Sequence, residues 1–352
     1  MKIEDIAKLA GVSKAAVSLA LNGKPGIGAE TRERILQIAR ESGYMPKSKS
    51  SETGPQKSLV FLAFTNSGIV LEEYYRQPFF RELIQHTEER CRSKGFSLLF
   101  RSVNMESFEQ EIELVASEHR ESGVILLGTN LSRPEIESIS RKLPHLVVLD
   151  TSFETLPVHF VQINNGMGAY QAGSSLCRMG HTEIGYVASS VRINNFNDRR
   201  RGFETALAEN GMSLAEKDVF TCSPTVLTSQ PSLADQFAAY RKRQGRLPGA
   251  LFCECDYIAI SAIKTLTELG VRIPEEISVI GFDNISEAVI VSPELTTIHV
   301  EKERMAQLAV DLLVQTLEDP SLARVKTLVD TTYVERQSCR PPEVRTALNV
   351  NH

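Results

Sequence analysis

From residue 58 to residue 283 the chain alternates short, continuously apolar runs with longer segments of helical periodicity. SLVFLAF at 58–64, FSLLF at 96–100, GVILLG at 123–128 and HLVVLD at 145–150 read as strands, with helices expected at 78–95, near 107–121 and at 132–142. The alternation then begins again. A helix at 166–179 precedes EIGYVAS at 183–189, and helices at 198–210 and near 232–243 lead to GALFC at 249–253. A helix at 257–269 is followed by ISVIGFD at 277–283. Strands that are apolar on both faces must be covered on both faces, which requires parallel sheets flanked by helices. Two successive sheets of similar size predict an α/β body of two lobes with a cleft between them. Ligands in such sheets bind beyond the carboxyl ends of the strands.

Ahead of this body, IEDIAKLAGVSKAAVSLALN at 3–22 reads as two short helices joined by a tight turn. Ile3, Ile6, Ala7, Leu9 and Ala10 recur at helical spacing. Gly11 supplies a residue that leaves a helix at positive φ, and Ser13 is a good N-cap for the second helix. That helix is expected to bury Ala16, Val17, Ala20 and Leu21 and to leave Lys14, Ala15, Ser18, Leu19 and Asn22 outside. A third helix spans 31–42 and ends at Gly43. Small residues at Ala7, Ala10, Ala16 and Ala20 let the helices cross closely, which describes an all-α helix-turn-helix.

The net charge of −5 argues against a nucleic-acid partner until it is divided. Residues 1–57 hold ten Lys/Arg against six Asp/Glu, whereas the remainder holds 29 against 38. A basic head on an acidic body attracts phosphate and keeps the body away from it. The six cysteines are scattered without a CxxC, so neither a disulfide framework nor a metal site is expected, and the composition fits a reducing cytoplasm. No apolar run approaches the ~20 residues that span a bilayer, and Met1 runs directly into a charged helix where a signal peptide would need an apolar core. No membrane partner and no cofactor are expected. NNGMGAYQAG at 164–173 lacks the G-x-G-x-x-G spacing, no serine sits in G-x-S-x-G, and the chain reads as no enzyme. That glycine cluster is read as chance.

IEDIAKLAGVSKAAVSLALNG followed by ETRERILQIARESGYMP resembles the DNA-binding head of the lactose/galactose repressor family. RRRGFETALAENG, RMGHTEIGYVAS, VRIPEEISVIGFDN and SPELTTIHVEKERMAQLAV extend the likeness to that family's core, which is similar in fold to periplasmic sugar-binding proteins. The resemblance implies a head over 1–45, a linker over 46–57, a core over 58–340 and a tail over 341–352. Within the core, lobe one would take about 58–162 and 294–328, and lobe two about 163–293 and 329–340. The linker departs from the family: no leucine lies between Leu36 and Leu59 to wedge into a minor groove, although Lys47 and Lys49 are placed to meet phosphates.

By the same resemblance Lys14, Ala15 and Leu19 face bases, while Ser13, Ser18 and Asn22 contact the DNA backbone. Lys14 can donate to guanine, and Ala15 and Leu19 offer apolar contact to a thymine methyl. Leu19 stands where the family often has arginine, which should alter the preferred operator; its other possible place is against the third helix. In the core, Asp283 would accept hydrogen bonds from effector hydroxyls and Arg199 would face the ligand. Phe79 and Phe80 would stack on a sugar's apolar face or sit in the core. Asp256 reads chiefly as a helix N-cap with a second possible role at the ligand. Cys255 replaces a common asparagine and Asn164 a common aspartate, and the stretch from Thr65 to Gln77 is longer than usual. The implied function is a homodimeric, sequence-specific DNA-binding transcription regulator, expected to be a repressor. A palindromic operator and a small polar effector, a sugar or sugar derivative, are the expected partners. The alternative is a regulator controlled by a protein bound to its core.

Overall fold

The computed structural model describes residues 3–21, 26–42 and 57–342. The chain divides into two compact units, 1–56 and 57–352. Asn22, Lys47, Lys49, nearly all of the linker and residues 343–352 lie outside the described residues.

The first unit contains α1 (Ile3–Ala10), α2 (Lys14–Leu21) and α3 (Ala29–Glu41). Ile6, Ala7, Ala10, Val17, Ala20, Ile35 and Ala39 form its buried centre. At φ 63°, Gly11 turns the chain so that its own N–H and that of Val12 donate back to the Lys8 and Ala7 carbonyls, at 3.3 and 3.0 Å. Ser13 Oγ accepts from the Ala16 N–H at 3.2 Å and caps α2. Leu9 departs from expectation: it is 64% exposed. The seam of α1 is set by Ala7 and Ala10, where the helices cross, and Leu9 lies nearly opposite Ala7 on the helix. Ala16 and Leu21 are only half-buried.

The second unit begins with β1 (Ser58–Thr65), α4 (Pro78–Ser93), β2 (Ser97–Asn104), α5 (Phe108–His119) and β3 (Gly123–Leu127). It continues with α6 (Arg133–Lys142), β4 (Leu146–Leu149) and β5 (His159–Ile163). The chain then builds α7 (Asn165–Met179), β6 (Ile184–Ser189), α8 (Asn194–Glu209), β7 (Val219–Cys222) and α9 (Pro231–Gln244). Next come β8 (Ala250–Cys253), α10 (Asp256–Glu268), β9 (Ser278–Ile280), β10 (Thr297–Val300), α11 (Lys302–Glu318), β11 (Lys326–Val329) and β12 (Thr331–Val334). Six strands form the first sheet in the order β11-β5-β4-β3-β1-β2, and four form the second in the order β7-β6-β8-β9. Every pairing within these two sheets is parallel. Strands β3, β4, β5, β6 and β8 are buried along their whole length, as continuous apolar runs between two helical layers must be.

Three crossings join the lobes: between β5 and α7, between β10 and α11, and between β11 and β12. The second was expected at about 294 but falls after Val300. The segment before it still belongs to lobe two, because Gly281 and Asp283 donate their N–H groups to the Thr296 and Ile298 carbonyls at 2.9 and 2.8 Å. β10 and β12 pair antiparallel beside that lobe, and α11 packs back on α4 and the first sheet.

Candidate functional site

The carboxyl edges of both sheets open on one shared cavity. On lobe one, Asp150 is the residue after β4; on lobe two, Asp283 lies just beyond β9. Both leave their strands in the left-handed region, at φ 67° and 115°, where aspartate is among the few side chains tolerated. Each carboxyl therefore turns into the cleft at the point where its strand stops.

Arg199 reaches the same space from α8. It is 3% exposed. Its Nη2 donates to Asp283 Oδ1 at 3.0 Å, Nε to Asn165 Oδ1 at 2.8 Å, and Nη1 to the Glu254 carbonyl at 2.5 Å. The guanidinium lies 3.6 Å from the Phe282 ring centroid, a close cation–π contact. Gly202 explains why α8 comes so near: a Cβ there would stand 2.0 Å from the Gly166 carbonyl oxygen of α7. Gly173 does the same a turn or two on, where a Cβ would meet Ala206 at 2.8 Å. Gly166 and Gly173 are therefore helix-packing residues, and Gly168 leaves room for the Phe282 ring, where a Cβ would come within 2.6 Å. Burial pushes the Asp283 carboxyl above its ordinary range, and the charges of Arg199 and Lys302 oppose that rise.

Asp150 is held differently. Thr129 donates its hydroxyl to Oδ2 at 2.5 Å and Asn195 donates its amide to Oδ1 at 3.2 Å and to the Asp150 carbonyl at 3.0 Å. Burial pushes this carboxyl up to about 7 against the pull of the Thr129 hydroxyl and the Arg199 charge. The Asn195 bonds cross the cleft from α8 to lobe one. Asn194 to the Ser152 carbonyl and Arg81 to Ser286 are further crossings. The buried Lys302 ties the hinge, donating to the Asp283 carbonyl at 3.1 Å and pairing with Glu82 of α4 at 3.2 Å. Asn195 Oδ1 and Tyr257 Oη, both buried on the cavity wall, have no hydrogen-bond partner of good geometry among the described residues.

Of the residues singled out from sequence, Phe79, Phe80, Arg199 and Asp283 line this cavity. The two phenylalanines are also core residues, packed edge-to-face at 5.4 Å. Asp256 does not line it, which corrects the expectation of a ligand role. Its Oδ1 accepts from Thr297 at 2.5 Å and its Oδ2 from the Ile285 N–H at 2.9 Å, so both oxygens are spent on joining lobe two's loops. The N-cap position belongs to Cys255. Asn164 caps α7 and donates to Asp330 at 2.8 Å. Sequence reading missed Asp150, although LVVLD ends as SVIGFD does, and it missed Asn195, Thr129 and Tyr257, for which no local signal exists. Ile69, from the long 65–77 stretch, also reaches the cavity wall.

On the head, Ala15 is exposed and Ser18 half-buried. Lys14 Nζ pairs with Glu4 of α1 at 2.5 Å on the open surface, a contact that water screens and that is easily exchanged for another acceptor. Leu19 is half-buried, and its Cδ1 is the neighbour that a Cβ on Gly26 would meet at 3.4 Å. It leans on the loop before α3 and is not part of the three-helix centre.

A helix-turn-helix in one chain with a two-lobed α/β core, its cleft at the strand ends, defines a ligand-responsive DNA-binding regulator by architecture. Residues 2–47 match the model of bacterial regulatory proteins of the lacI family, and 174–339 match the periplasmic binding protein-like domain. The chain is 29% identical over 354 residues to the transcriptional repressor PurR of Pasteurella multocida, covering 96% of this chain and 98% of the relative. To the ribose operon repressor of Haemophilus influenzae it is 27% identical, over 96% and 98% of the two chains. The solved structure of the lac repressor dimer bound to operator and the anti-inducer ONPF superposes with a TM-score of 0.66 at 22% identity, over 97% and 99%. The head thus matches the lacI family model and nearly the whole chain is similar to transcription repressors; lacI-family regulators are DNA-binding proteins and not enzymes. No helix among the described residues is long and apolar enough to cross a membrane.

Proposed function

We propose that this protein is a repressor that binds a palindromic operator as a homodimer and whose operator affinity is set by a small polar solute in the interlobe cavity. The observation that carries the reading is the convergence of Asp150, Asp283, Arg199 and Asn195 on one space between the strand ends of both lobes. A solute that touches both lobes there favours the lobe arrangement it contacts best, so occupancy biases lobe orientation. In the head, Lys14 and Ala15 are the exposed candidates for base edges, Leu19 for a thymine methyl, and Ser13, Ser18 and Asn22 for phosphates. Loss of the arginine often found at Leu19 removes a bidentate guanine contact, which favours an operator distinct from those of relatives that keep it. The relatives named transcriptional repressor PurR and ribose operon repressor support a regulator that responds to a small metabolite.

A dimer through both lobes is supported by exposed apolar side chains on each. Leu99 and Phe100 stand on the free edge strand β2, and Val289 and Ile290 project from lobe two, Ile290 at 76% exposure. Unpaired strand edges and clustered apolar surface are what partner chains cover. The test is calorimetry with a panel of monosaccharides, disaccharides and purine bases, repeated on Asp283→Ala. A solute that binds the parent, is lost in the variant, and shifts operator affinity supports the reading. A solute that shifts operator affinity equally in both proteins contradicts it.

A further inference from the structure

Most donors on the cavity wall are committed to protein acceptors while several acceptors are not, and the Tyr257 hydroxyl, which can donate or accept, has no partner among the described residues. Arg199 directs Nε, Nη1 and Nη2 each at a protein acceptor, which commits three of its five N–H donors. Acceptors are in surplus. Asp150 is 2% exposed and receives one hydroxyl and one amide, and among the described residues no ion pair includes it. Asn195 Oδ1 is buried and receives no hydrogen bond from the described residues. Its orientation is fixed, because turning the amide over would set that oxygen against the carbonyl and carboxylate of Asp150. Two carboxyl groups and one guanidinium line the space, and Cys255 contributes only a weakly polar thiol.

An anionic solute entering this cavity meets two carboxyl groups against one guanidinium, and a neutral polyol brings the Asp150 carboxyl no cation to hold it ionised. An ammonium group carries three donors, no acceptor and the missing charge. We infer that the effector carries a protonated amine, seated against the Asp150 carboxylate and Asn195 Oδ1, with hydroxyl donors directed toward Asp283. This rests on the cavity being the effector site. The elevated Asp150 carboxyl reports the same imbalance: burial without a cation is costly, and a ligand cation offsets it.

The test compares amine and hydroxyl isosteres on the full-length protein by calorimetry at neutral pH. The pairs are glucosamine with glucose, galactosamine with galactose, glucamine with glucitol, and the non-sugar pair putrescine with butanediol. At least one amine should bind about tenfold or more tighter than its hydroxyl partner, the scale of one charge-assisted hydrogen bond. Asp150→Asn should reduce that ratio to near one. The paired comparison needs no variant, so it stands even where Asp150→Asn fails to fold. Hydroxyl members binding as tightly as their amines in every pair that binds overturn the inference and leave the sugar reading intact. Putrescine binding alone supports the amine and overturns the sugar. Absence of binding across all four pairs counts against both.

Discussion

Asp150 and Asp283 hold matching places at two strand ends, yet only Asp283 has a guanidinium within hydrogen-bond distance. The consequence for Asp150 is a pH dependence of definite sign. Its carboxyl titrates near 3.8 in the unfolded chain and near 7 in the folded one, so between those values the folded state binds the extra proton. The stability it contributes is full below about 4 and is lost as pH rises through about 7. Asn cannot titrate. The melting temperature of Asp150→Asn should therefore gain on that of the parent between about pH 5 and pH 8, measured side by side in the same buffers; parallel curves would overturn the assignment. For Asp283 the test is removal of its cation. Arg199→Ala strands a buried carboxylate and should cost about 3–5 kcal/mol of unfolding free energy. Adding Asp283→Ala to that variant should recover part of the loss, and a double variant as weak as the sum of the singles would show that the pair does not act together.

Helix α8 is the element on which the site depends, because it brings Arg199 and Asn195 into the cleft together. Its approach to α7 is set by Gly202 against Gly166, with no room for even a methyl group. Gly202→Ala must push the helices apart and should lower stability by about 2–3 kcal/mol while weakening any cavity ligand, read by denaturant titration and calorimetry. Unchanged stability would show that α8 has slack. Much of this was open to sequence reading. Continuous apolar runs such as SLVFLAF and GVILLG specify parallel strands by their lack of alternation, and ISVIGFD announces a carboxyl at its end. LVVLD carried the same signal for Asp150. What could not be read was Asn195, whose role comes from α8 starting at Asn194 rather than near 198, and the lack of a ligand role for Asp256, which depends on loops near 285 and 297 meeting across the fold. Short strands such as Val219–Cys222 and Lys326–Val329 have too few residues to establish a period. The purpose of Gly166 and Gly173 emerges only once two helices are seen to cross.

At the scale of the whole molecule, three chain crossings and the Lys302 tie at Asp283 and Glu82 make the two lobes of the core a hinged pair. A solute that closes the hinge can change DNA affinity only by as much as it prefers the closed arrangement. The separation of charge between a basic head and an acidic body adds a prediction of its own. Operator affinity should fall steeply with salt, because phosphate contacts release counter-ions. Lys14→Ala should flatten sequence preference more than it flattens the salt slope, since a base contact discriminates and a phosphate contact does not. An equal loss on all duplexes would instead place Lys14 on the phosphates. The most direct measurement is an anisotropy titration of the full-length protein at low ionic strength onto the duplex upstream of its own gene. A scrambled duplex of the same length and composition is the control. A sequence-specific repressor should bind the native duplex at least about a hundredfold tighter, with an affinity sensitive to a cavity solute. Equal affinity for the two duplexes, with and without candidate solutes, would contradict that reading of the protein.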